Sequence, residues 1–270
     1  MNIVVFAKQV PDTRNVGKDA MKEDGTVNRA ALPAVFNPDD LCALEMALQA
    51  KEDLQDAKVY VLTMGPERAA EIIREAIYRG ADKGFLLTDR KFAGSDTLAT
   101  SYAISQAAKK LQPDLIFCGL QAIDGDTAQV GPQSAEKLAF PQITYAEKLV
   151  EINSQNIVIQ RRLERGVETV KSTLPVLVTV TGSAPKCRAR NAKRVMQYKP
   201  RLPHTADILE EWSADFVSAD ENYLGLSGSP TKVKKIENVI LAQKENKTLT
   251  ASDADVEQLI LELMESRVIG

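Results

Sequence analysis

The chain has 270 residues, a formal net charge of −3, 44% hydrophobic residues and 26% charged residues. These values are typical of a soluble globular protein with a substantial core, arranged as one large domain or one domain with appendages. The small net charge and the 5% aromatic content disfavour nucleic-acid binding, which depends on a positive field and often on exposed rings.

Membrane insertion, secretion and metal chemistry are also disfavoured. No apolar run approaches the roughly 20 residues of a membrane-spanning helix, and the N-terminus reads as a strand rather than a signal peptide. Cys42, Cys118 and Cys187 lack metal-ligand spacing, so we expect buried or neutral thiols in a reducing cytoplasm. The single histidine, His204, supplies neither a zinc site nor a Ser-His-Asp triad, and we expect it at the surface.

Short apolar runs alternate with amphipathic segments of helical length through the first 145 residues. The apolar runs predict buried strands at Ile3 to Ala7, Val59 to Met64, Gly84 to Leu87 and Asp114 to Gly119. The amphipathic segments predict helices at Asp39 to Gln55, Ala69 to Arg79, Ser95 to Leu111 and Thr127 to Leu138. Strands separated by helices are typical of a parallel sheet with right-handed crossovers. The expected fold class is therefore α/β, with a doubly wound, mostly parallel, Rossmann-like sheet and flanking helices.

The pattern becomes rich in strands after residue 145. Strands are predicted at Lys148 to Glu151, Ile157 to Leu163, Val167 to Leu174 and Val176 to Thr181. We interpret about residues 148–172 as a β-hairpin extension and the last strand as one that returns to the main sheet. An α/β domain is thus predicted over residues 1–183.

The remaining residues predict a C-terminal arm with a terminal helix. Residues 183–203 are basic and poor in strand pattern, which fits either a solvated arm or a partner-docking segment. Residues 206–247 are polar and irregular, so we predict a docking arm and irregular segment over 184–250. Ser252 can cap a helix from Asp253 to Met264, and the apolar face of this helix must dock on the sheet domain or on another chain.

Four segments lie at or near the carboxyl ends of the predicted strands, where open parallel sheets bind ligands. They are Phe6 to Gln9, Asn37 to Asp40, Met64 to Pro66 and Gly119 to Pro132. In the last segment Gly125 permits an unusual backbone angle, and Thr127 can cap the following helix, whose free N–H groups favour a phosphate. Asp124 and Asp126 would repel a phosphate, so we expect them to hold backbone groups, hydroxyls or a partner.

Other readings of these segments remain open. An ordinary capped loop explains the same residues, and neither a P-loop nor a G-x-G-x-x-G fingerprint is present. The pairs Asp39–Asp40 and Asp124–Asp126 also fit a magnesium site or an acid/base pair, although acidic pairs at helix starts are commonly there for capping. Because no nucleophile has an identifiable base, we name no catalytic residue and no metal ligand.

Seven strings share their order and spacing with a known family. They are Val5 to Thr13, Asn37 to Asp40, Thr63 to Pro66, Gly80 to Asp82, Leu87 to Arg90, Ser95 to Thr100 and Gln121 to Pro132. On these strings, the chain resembles the beta subunit of electron-transferring flavoproteins over about residues 1–183. Leu224 to Thr231 and the final helix extend the resemblance.

The resemblance implies an adenine nucleotide-binding fold in a heterodimer with a larger alpha subunit that carries its own FAD. Beta subunits of the ordinary type hold a structural AMP, whereas those of the electron-bifurcating type hold a second FAD with NADH against it. Asp124 to Pro132 and the segment Asp89 to Thr97 are similar to the bifurcating type. The implied function is electron transfer between NAD(H), the alpha-subunit FAD, a low-potential acceptor (ferredoxin or flavodoxin) and a partner flavin dehydrogenase.

The resemblance also implies site residues by position. The cofactor-binding residues would be Phe6, Ala7, Lys8, Asn37, Pro38, Asp39, Asp40, Met64, Asp124, Gly125, Asp126, Thr127, Ala128, Gln129, Val130, Gly131, Pro132, Gln133 and Ser134. Asp96 and Thr97 are candidates for the nicotinamide side, and Glu168 matches a position that faces the flavin region of the alpha subunit. The helix in residues 251–270 is expected to pack on that subunit.

The chain departs from the family at three places. Leu120 stands where members usually have Arg or Lys, and Lys91 replaces the usual Ala, which places a new charge near the proposed NADH loop. Residues 186–199 correspond to the loop that docks on acyl-CoA dehydrogenases, but they lack the Leu anchor of the ordinary type. Docking on a dehydrogenase is thus implied by position and not by residues. The implied partner is a flavin dehydrogenase of the acyl-CoA or the 2-hydroxyacid type, and the missing anchor favours the second.

Two functions of other classes compete with electron transfer. An adenine-nucleotide-binding regulatory or hydrolytic module would use a similar scaffold, because the fold alone does not fix function. A purely structural subunit would only buttress its partner.

Overall fold

A nine-stranded sheet organises the computed structural model, which describes residues 1–12, 33–199, 207–231, 248–250, 252–266 and 268. The chain divides into two units, Met1–Val233 and Lys234–Gly270. Thr13 and His204, and with them the expected surface position of His204, lie outside the described residues. Within the described residues, no helix combines the length and apolar character needed to cross a bilayer.

The strands agree with the predicted apolar runs to within a few residues in most cases. In chain order they are β1 (Asn2–Phe6), β2 (Gln9–Pro11), β3 (Ala34–Phe36), β4 (Lys58–Met64), β5 (Lys83–Leu87), β6 (Leu115–Gly119), β7 (Gln142–Ile152), β8 (Asn156–Leu163), β9 (Gly166–Thr173), β10 (Val176–Val180) and β11 (Leu209–Trp212). The helices are α1 (Pro38–Asp53), α2 (Ala70–Arg79), α3 (Thr97–Leu111), α4 (Val130–Leu138), α5 (Ala192–Gln197) and α6 (Asp253–Glu265).

The strand order of the sheet is β11-β5-β4-β1-β6-β10-β7-β8-β9. The strands from β11 to β7 are parallel, and β8 and β9 add an antiparallel extension. From β1 the chain passes through α1 to β4 on one side, and it later passes through α3 to β6 on the other side. The strand order therefore reverses between β1 and β6, which confirms the predicted doubly wound, mostly parallel α/β fold.

Helices cover both faces of the parallel strands, as the two-sided apolar character of the strands requires. Successive residues of β1 point to opposite faces, so Ile3 and Val5 pack with α1 and α2, whereas Val4 and Phe6 pack with α3 and α4. All four side chains are almost fully buried. The two cores fix the carboxyl end of β1 between helices on either side.

Three sequence predictions need correction. Helix α4 begins at Val130 and not at Thr127, because Asp126 and Ala128 have φ values of 50° and 52°, in the left-handed region that helices exclude. Strand β7 begins at Gln142 and pairs with both β10 and β8, so the extension is a three-stranded unit of β7, β8 and β9. Leu209–Trp212, within the stretch predicted to be irregular, pairs with β5 as an edge strand.

The described part of the basic segment, residues 183–199, is held against the sheet domain and is not a freely solvated arm. Arg188 forms ion pairs with Glu45 and Glu52 of α1. Arg190 pairs with Glu75 of α2, and Arg194 donates to the last carbonyl oxygens of the same helix and its loop. The arginines of this segment are thus largely committed within the chain.

The second unit contains α6. Ser252 caps it, since its Oγ accepts the N–H of Asp255 at 3.3 Å, as the sequence predicts. The apolar side chains of α6 are at most half-buried within the described residues, and Val256, Leu259 and Ile260 are exposed.

Candidate functional site

A cleft of about 400 Å³ opens at the carboxyl ends of β1, β4 and β6. We call it the first cleft. It lies where the strand order reverses, because the chain leaves β1 toward one face of the sheet and reaches β6 from the other. The diverging connections leave a crevice there, which is where doubly wound sheets bind ligands.

Most of the predicted cofactor-binding residues line the first cleft: Phe6, Ala7, Lys8, Asp40, Met64, Asp96, Thr97, Gly125, Asp126, Thr127, Ala128, Gln129, Val130 and Gly131. The predicted residues that are not among its lining residues are Asn37, Pro38, Asp39, Asp124, Pro132, Gln133 and Ser134.

The structure adds lining residues that were not among the predicted cofactor-binding residues: Ser95, Thr100, Ile104, Cys118, Gly119, Leu120, Gln121 and Ala122. The last four belong to the segment Gly119 to Pro132, which was predicted to lie at a strand end. Thr100 and Ile104 follow Thr97 by three and seven positions in α3, so they share its helix face. The helical period was therefore a signal that could have found them.

Asp40 joins the ends of the two strands that flank the reversal point. Its Oδ2 accepts the backbone N–H of Lys8 at 2.8 Å, and its Oδ1 accepts that of Gly119 at 2.9 Å. Burial raises the pKa of Asp40 to about 7, against the lowering effect of these hydrogen bonds and of Asn37. Burial also raises the pKa of Asp39. These contacts make Asp40 a support of the cleft floor.

Asn37 fixes the loop that closes the cleft. Its side-chain amide donates to the carbonyl oxygen of Gln121 at 2.8 Å, and its Oδ1 accepts the N–H of Ile123 at 3.2 Å. Asn37 therefore acts through the loop, from outside the lining of the cleft.

Ala122 and Lys8 hold the loop that contains Asp124, Gly125 and Asp126. The carbonyl oxygen of Ala122 accepts the N–H groups of Gly125 and Asp126 at 3.2 and 2.9 Å, and Lys8 Nζ pairs with Asp124 Oδ1 at 2.7 Å. The expectation that Asp124 holds a partner is confirmed. The expected unusual angle of Gly125 is wrong, because the left-handed residue of the turn is Asp126.

The start of α4 meets the edge of the cleft without a side-chain cap. The N-cap residue is Gln129, and its side chain accepts no N–H of the first turn. Thr127 lies before the N-cap and does not cap the helix, so this prediction is wrong. A Cβ on Gly131 would lie 2.8 Å from Thr179 Cγ2 and 2.9 Å from Cys118 Sγ, so only glycine lets the helix start sit this close to the sheet. Uncapped N–H groups at a helix start fit the phosphate groups of a nucleotide.

Asp96 and Thr97 form the opposite rim at the start of α3. Asp96 caps α3, and hydrogen bonds from Ala99, Thr231 and Leu98 outweigh the effect of burial and lower its pKa. The hydroxyl of Thr97 donates to Gln129 Oε1 at 2.8 Å. This bond joins the two rims of the cleft.

Gln133 and Ser134 are not among the lining residues of the first cleft. Gln133 Oε1 accepts from Ser101 of α3 at 3.1 Å. The hydroxyl of Ser134 is buried and has no hydrogen-bond partner within the described part of the chain. Their predicted cofactor contacts stay predictions.

A second cleft, of about 780 Å³, lies between the carboxyl ends of β4 and β5 and shares Met64 with the first. Arg68, Asp89 and Arg90 are among its lining residues. The backbone N–H groups of Lys91 and Ala214 donate to Asp89 and, together with the charge of Lys91, lower its pKa against the effect of burial.

Leu120 and Lys91, the two departures from the family that change a charge, have defined neighbours in the structure. Leu120 lines the first cleft and places an apolar side chain there. Lys91 Nζ lies 2.7 Å from Asp215 and 2.8 Å from Glu221, so its extra charge is locally compensated. These two carboxylates hold the pKa of Lys91 above its ordinary value.

A doubly wound parallel sheet with a cleft at its reversal point and an uncapped helix start at the edge of that cleft is typical of α/β proteins that bind nucleotides. A family model described as the electron transfer flavoprotein domain matches residues 24–200. The chain belongs to the electron transfer flavoprotein family, as a beta subunit.

Its similarity to three relatives extends over most of each chain. It is 46% identical over 243 residues to the electron transfer flavoprotein subunit beta of Megasphaera elsdenii, covering 87% of both chains. It is 42% identical over 277 aligned positions to the acryloyl-CoA reductase electron transfer subunit gamma of Anaerotignum propionicum, covering 100% of both. It is 39% identical over 234 residues to subunit CarD of the caffeyl-CoA reductase-Etf complex of Acetobacterium woodii, covering 86% of both.

Proposed function

We propose that this beta subunit binds FAD in the first cleft and NADH beside it, and takes part in flavin-based electron bifurcation within a heterodimer. Electrons would pass between NAD(H), the FAD of the alpha subunit, ferredoxin or flavodoxin, and a partner flavin dehydrogenase. The observation that carries the proposal is the first cleft, with its uncapped helix start and the Asp124-Gly125-Asp126-Thr127 loop.

The residues of the chain would supply position and electrostatics, while a bound FAD supplies hydride and one-electron chemistry. The N–H groups at the start of α4 would hold the diphosphate. Lys8 would keep Asp124 away from that anion, since the two already pair at 2.7 Å. Phe6, Ile104 and Leu120 give the cleft an apolar wall suited to a ring system.

The second cleft is the proposed place of the nicotinamide nucleotide. It adjoins the first cleft through Met64, so a ligand there would lie beside a cofactor in the first. Arg68 and Arg90 give it two guanidinium groups, which suit phosphate oxygens. Asp96 and Thr97, which line the first cleft, stay proposed contacts on the nicotinamide side.

The partners are proposed from the relatives and from the exposed surfaces. Two relatives carry acyl-CoA reductases in their names, which supports an acyl-CoA partner over a 2-hydroxyacid dehydrogenase. The exposed apolar side chains of α6 support its packing on the alpha subunit. We propose a cytoplasmic location for the complex.

The ordinary type of beta subunit, with a structural AMP, is the second candidate. The same helix start suits the single phosphate of AMP. A regulatory module would instead bind ATP and lack flavin in any complex, and a purely structural subunit would need no nucleotide. Anaerobic addition of NADH to the purified heterodimer distinguishes the bifurcating type from the other three functions, because only the bifurcating type predicts rapid bleaching of flavin absorbance.

Gly125 offers a direct test of the first cleft. A Cβ added there meets no atom within 4 Å, and the residue lines the cleft. We therefore expect Gly125→Trp to fill the cleft without displacing protein, so that the heterodimer assembles but loses at least about 90% of its beta-site nucleotide, a loss of more than about 1.4 kcal/mol in binding.

Gly125→Ala is the matched control and should retain the nucleotide. Native mass spectrometry gives the assembly state, and chromatography of the denatured complex gives the nucleotide. Full nucleotide content in the tryptophan variant would contradict the assignment of this cleft.

A further inference from the structure

Residues 88–97, which we call the rim loop, connect β5 to α3 and end at the first cleft. Residues 213–231, the clasp segment, follow β11 and contact the rim loop at both of its ends. We propose that the clasp segment positions the rim loop, with Ser229 and Asp96 as positioning residues for Thr97 at the cleft. The proposal rests on the proposed function in one respect, that the first cleft binds a nucleotide cofactor.

The carboxylate of Asp96 is fully engaged with backbone N–H groups. Its Oδ1 accepts from Leu98 at 2.9 Å and from Ala99 at 3.0 Å, which caps α3. Its Oδ2 accepts from Thr231 at 3.1 Å. Asp96 therefore links the first turn of α3 to the end of the clasp segment, and it reaches the cleft through its backbone and neighbours.

Ser229 makes the second link, from a position where only 3% of the residue is exposed. Its Oγ accepts the N–H of Asp96 at 2.8 Å and donates to the carbonyl oxygen of Gly225 at 2.6 Å. A buried N–H that loses its acceptor is costly, so this hydroxyl ties the rim loop to the clasp segment. Both backbone and side chain of Asp96 are thus held by the clasp segment.

Two glycines allow the segments to approach closely. A Cβ on Gly225 would lie 2.5 Å from the carbonyl oxygen of Lys91, and a Cβ on Gly94 would lie 2.7 Å from Leu226 Cγ. Both glycines have positive φ values, of 53° and 76°. At Gly225 the clasp segment packs against the backbone of the rim loop, and at Gly94 the rim loop packs against the side chain of Leu226. A larger residue at either glycine would force the two segments apart.

The exposed ion pairs between Lys91 of the rim loop and the clasp segment contribute less to the position of the rim loop. Lys91 pairs with Asp215 and Glu221, whose side chains are 80% and 69% exposed. Exposed pairs of this kind contribute little. The buried contacts of Ser229 and Asp96 are therefore the ones that fix the rim loop.

The link reaches the cleft through Thr97, the first residue of α3. Its hydroxyl donates to Gln129 Oε1 at 2.8 Å, and both residues line the cleft. A shift of Asp96 moves Thr97 and so changes the distance between the start of α3 and the start of α4. The clasp segment thereby sets the geometry in which a nucleotide is held.

The test measures FAD and AMP dissociation constants of the purified heterodimer, with Ser229→Ala as the main variant. We expect the dissociation constant of the ligand that the wild type binds to rise about tenfold, or about 1.4 kcal/mol. Hydrogen exchange of the peptides that contain Thr97 and Gln129 should rise in the folded complex. Ser227→Ala, at an exposed serine two residues away, is the control and should stay within about twofold of the wild type.

A double-variant cycle separates positioning from general destabilisation. Thr97→Val removes the hydroxyl that joins the rims, so Ser229→Ala should add little to its loss of affinity. Thr231→Pro, which removes the N–H donated to Asp96 at an exposed residue, gives the same test should the serine variant fail to fold.

Additive losses in the cycle would overturn the proposal, as would unchanged affinity in a folded Ser229→Ala or Thr231→Pro heterodimer. Failure of the premise that the first cleft binds a nucleotide looks different, because the wild-type heterodimer would then bind neither FAD nor AMP. That result would overturn this proposal as well.

Discussion

Asp40, of which only 6% is exposed, accepts two backbone hydrogen bonds at the floor of the first cleft. Burial raises its pKa from 3.8 to about 7, so between these pH values the folded chain holds a proton that the unfolded chain has lost. The unfolded state binds fewer protons in this window, and the free energy of unfolding therefore falls as pH rises through it. The charged carboxylate form of Asp40 is therefore destabilising in this buried position. Its two oxygen atoms nevertheless accept the hydrogen bonds that join the ends of β1 and β6.

We expect Asp40→Asn to remove this pH dependence. Between about pH 4 and pH 7 the free energy of unfolding of the wild type should fall relative to the variant, by up to about 1.4 kcal/mol per pH unit. The variant should also show a constant loss of about 1–3 kcal/mol, because its NH2 group cannot accept one of the two N–H groups. Urea unfolding across this pH range measures both effects, and parallel pH profiles would contradict the assignment.

Ion pairs that differ in burial attach the basic segment before α5 to helix α1. Glu45, whose side chain is 9% exposed, accepts the N–H of Arg188 at 2.9 Å as well as its guanidinium. Although burial opposes it, Arg188 lowers the pKa of Glu45. Glu52 pairs with the same guanidinium, but its side chain is 61% exposed.

We expect Glu45→Gln to cost about 2 kcal/mol of unfolding free energy, because it removes the buried charge partner of Arg188 and leaves only the exposed Glu52. Glu52→Gln is the matched control on the same arginine and should cost less than about 1 kcal/mol. Thermal unfolding of the two variants gives the comparison. Equal losses would show that burial of the pair does not decide the strength of this attachment.

At the scale of the whole molecule, apolar runs and helical periods predicted the central sheet and its order of elements, because burial on both faces leaves a strong pattern. Strand β11 escaped prediction because it is an edge strand with acidic residues, Glu210 and Glu211, among its four positions. The start of α4 was misplaced because left-handed angles at Asp126 and Ala128 leave no mark in an apolar pattern.

The sequence predicted the position of the site more completely than it predicted the contacts that the site residues make. The strand ends and the loop from Asp124 were identified from the sequence, because ligands of parallel sheets gather at the carboxyl ends. The ion pairs of Arg188 with Glu45 and Glu52 join residues 143 and 136 positions apart, and Thr231 of the clasp segment meets Asp96 across 135 positions. Contacts at such separations follow from the packing of the whole chain and not from any local pattern.

The central claim, a working FAD in the first cleft, is tested most directly by the nucleotide content of the native heterodimer. The complex is purified without added cofactor and denatured, and the released nucleotides are separated and quantified against the protein. Two FAD molecules per heterodimer and no AMP are the predicted result. One FAD and one AMP per heterodimer would contradict the claim and assign the chain to the ordinary type.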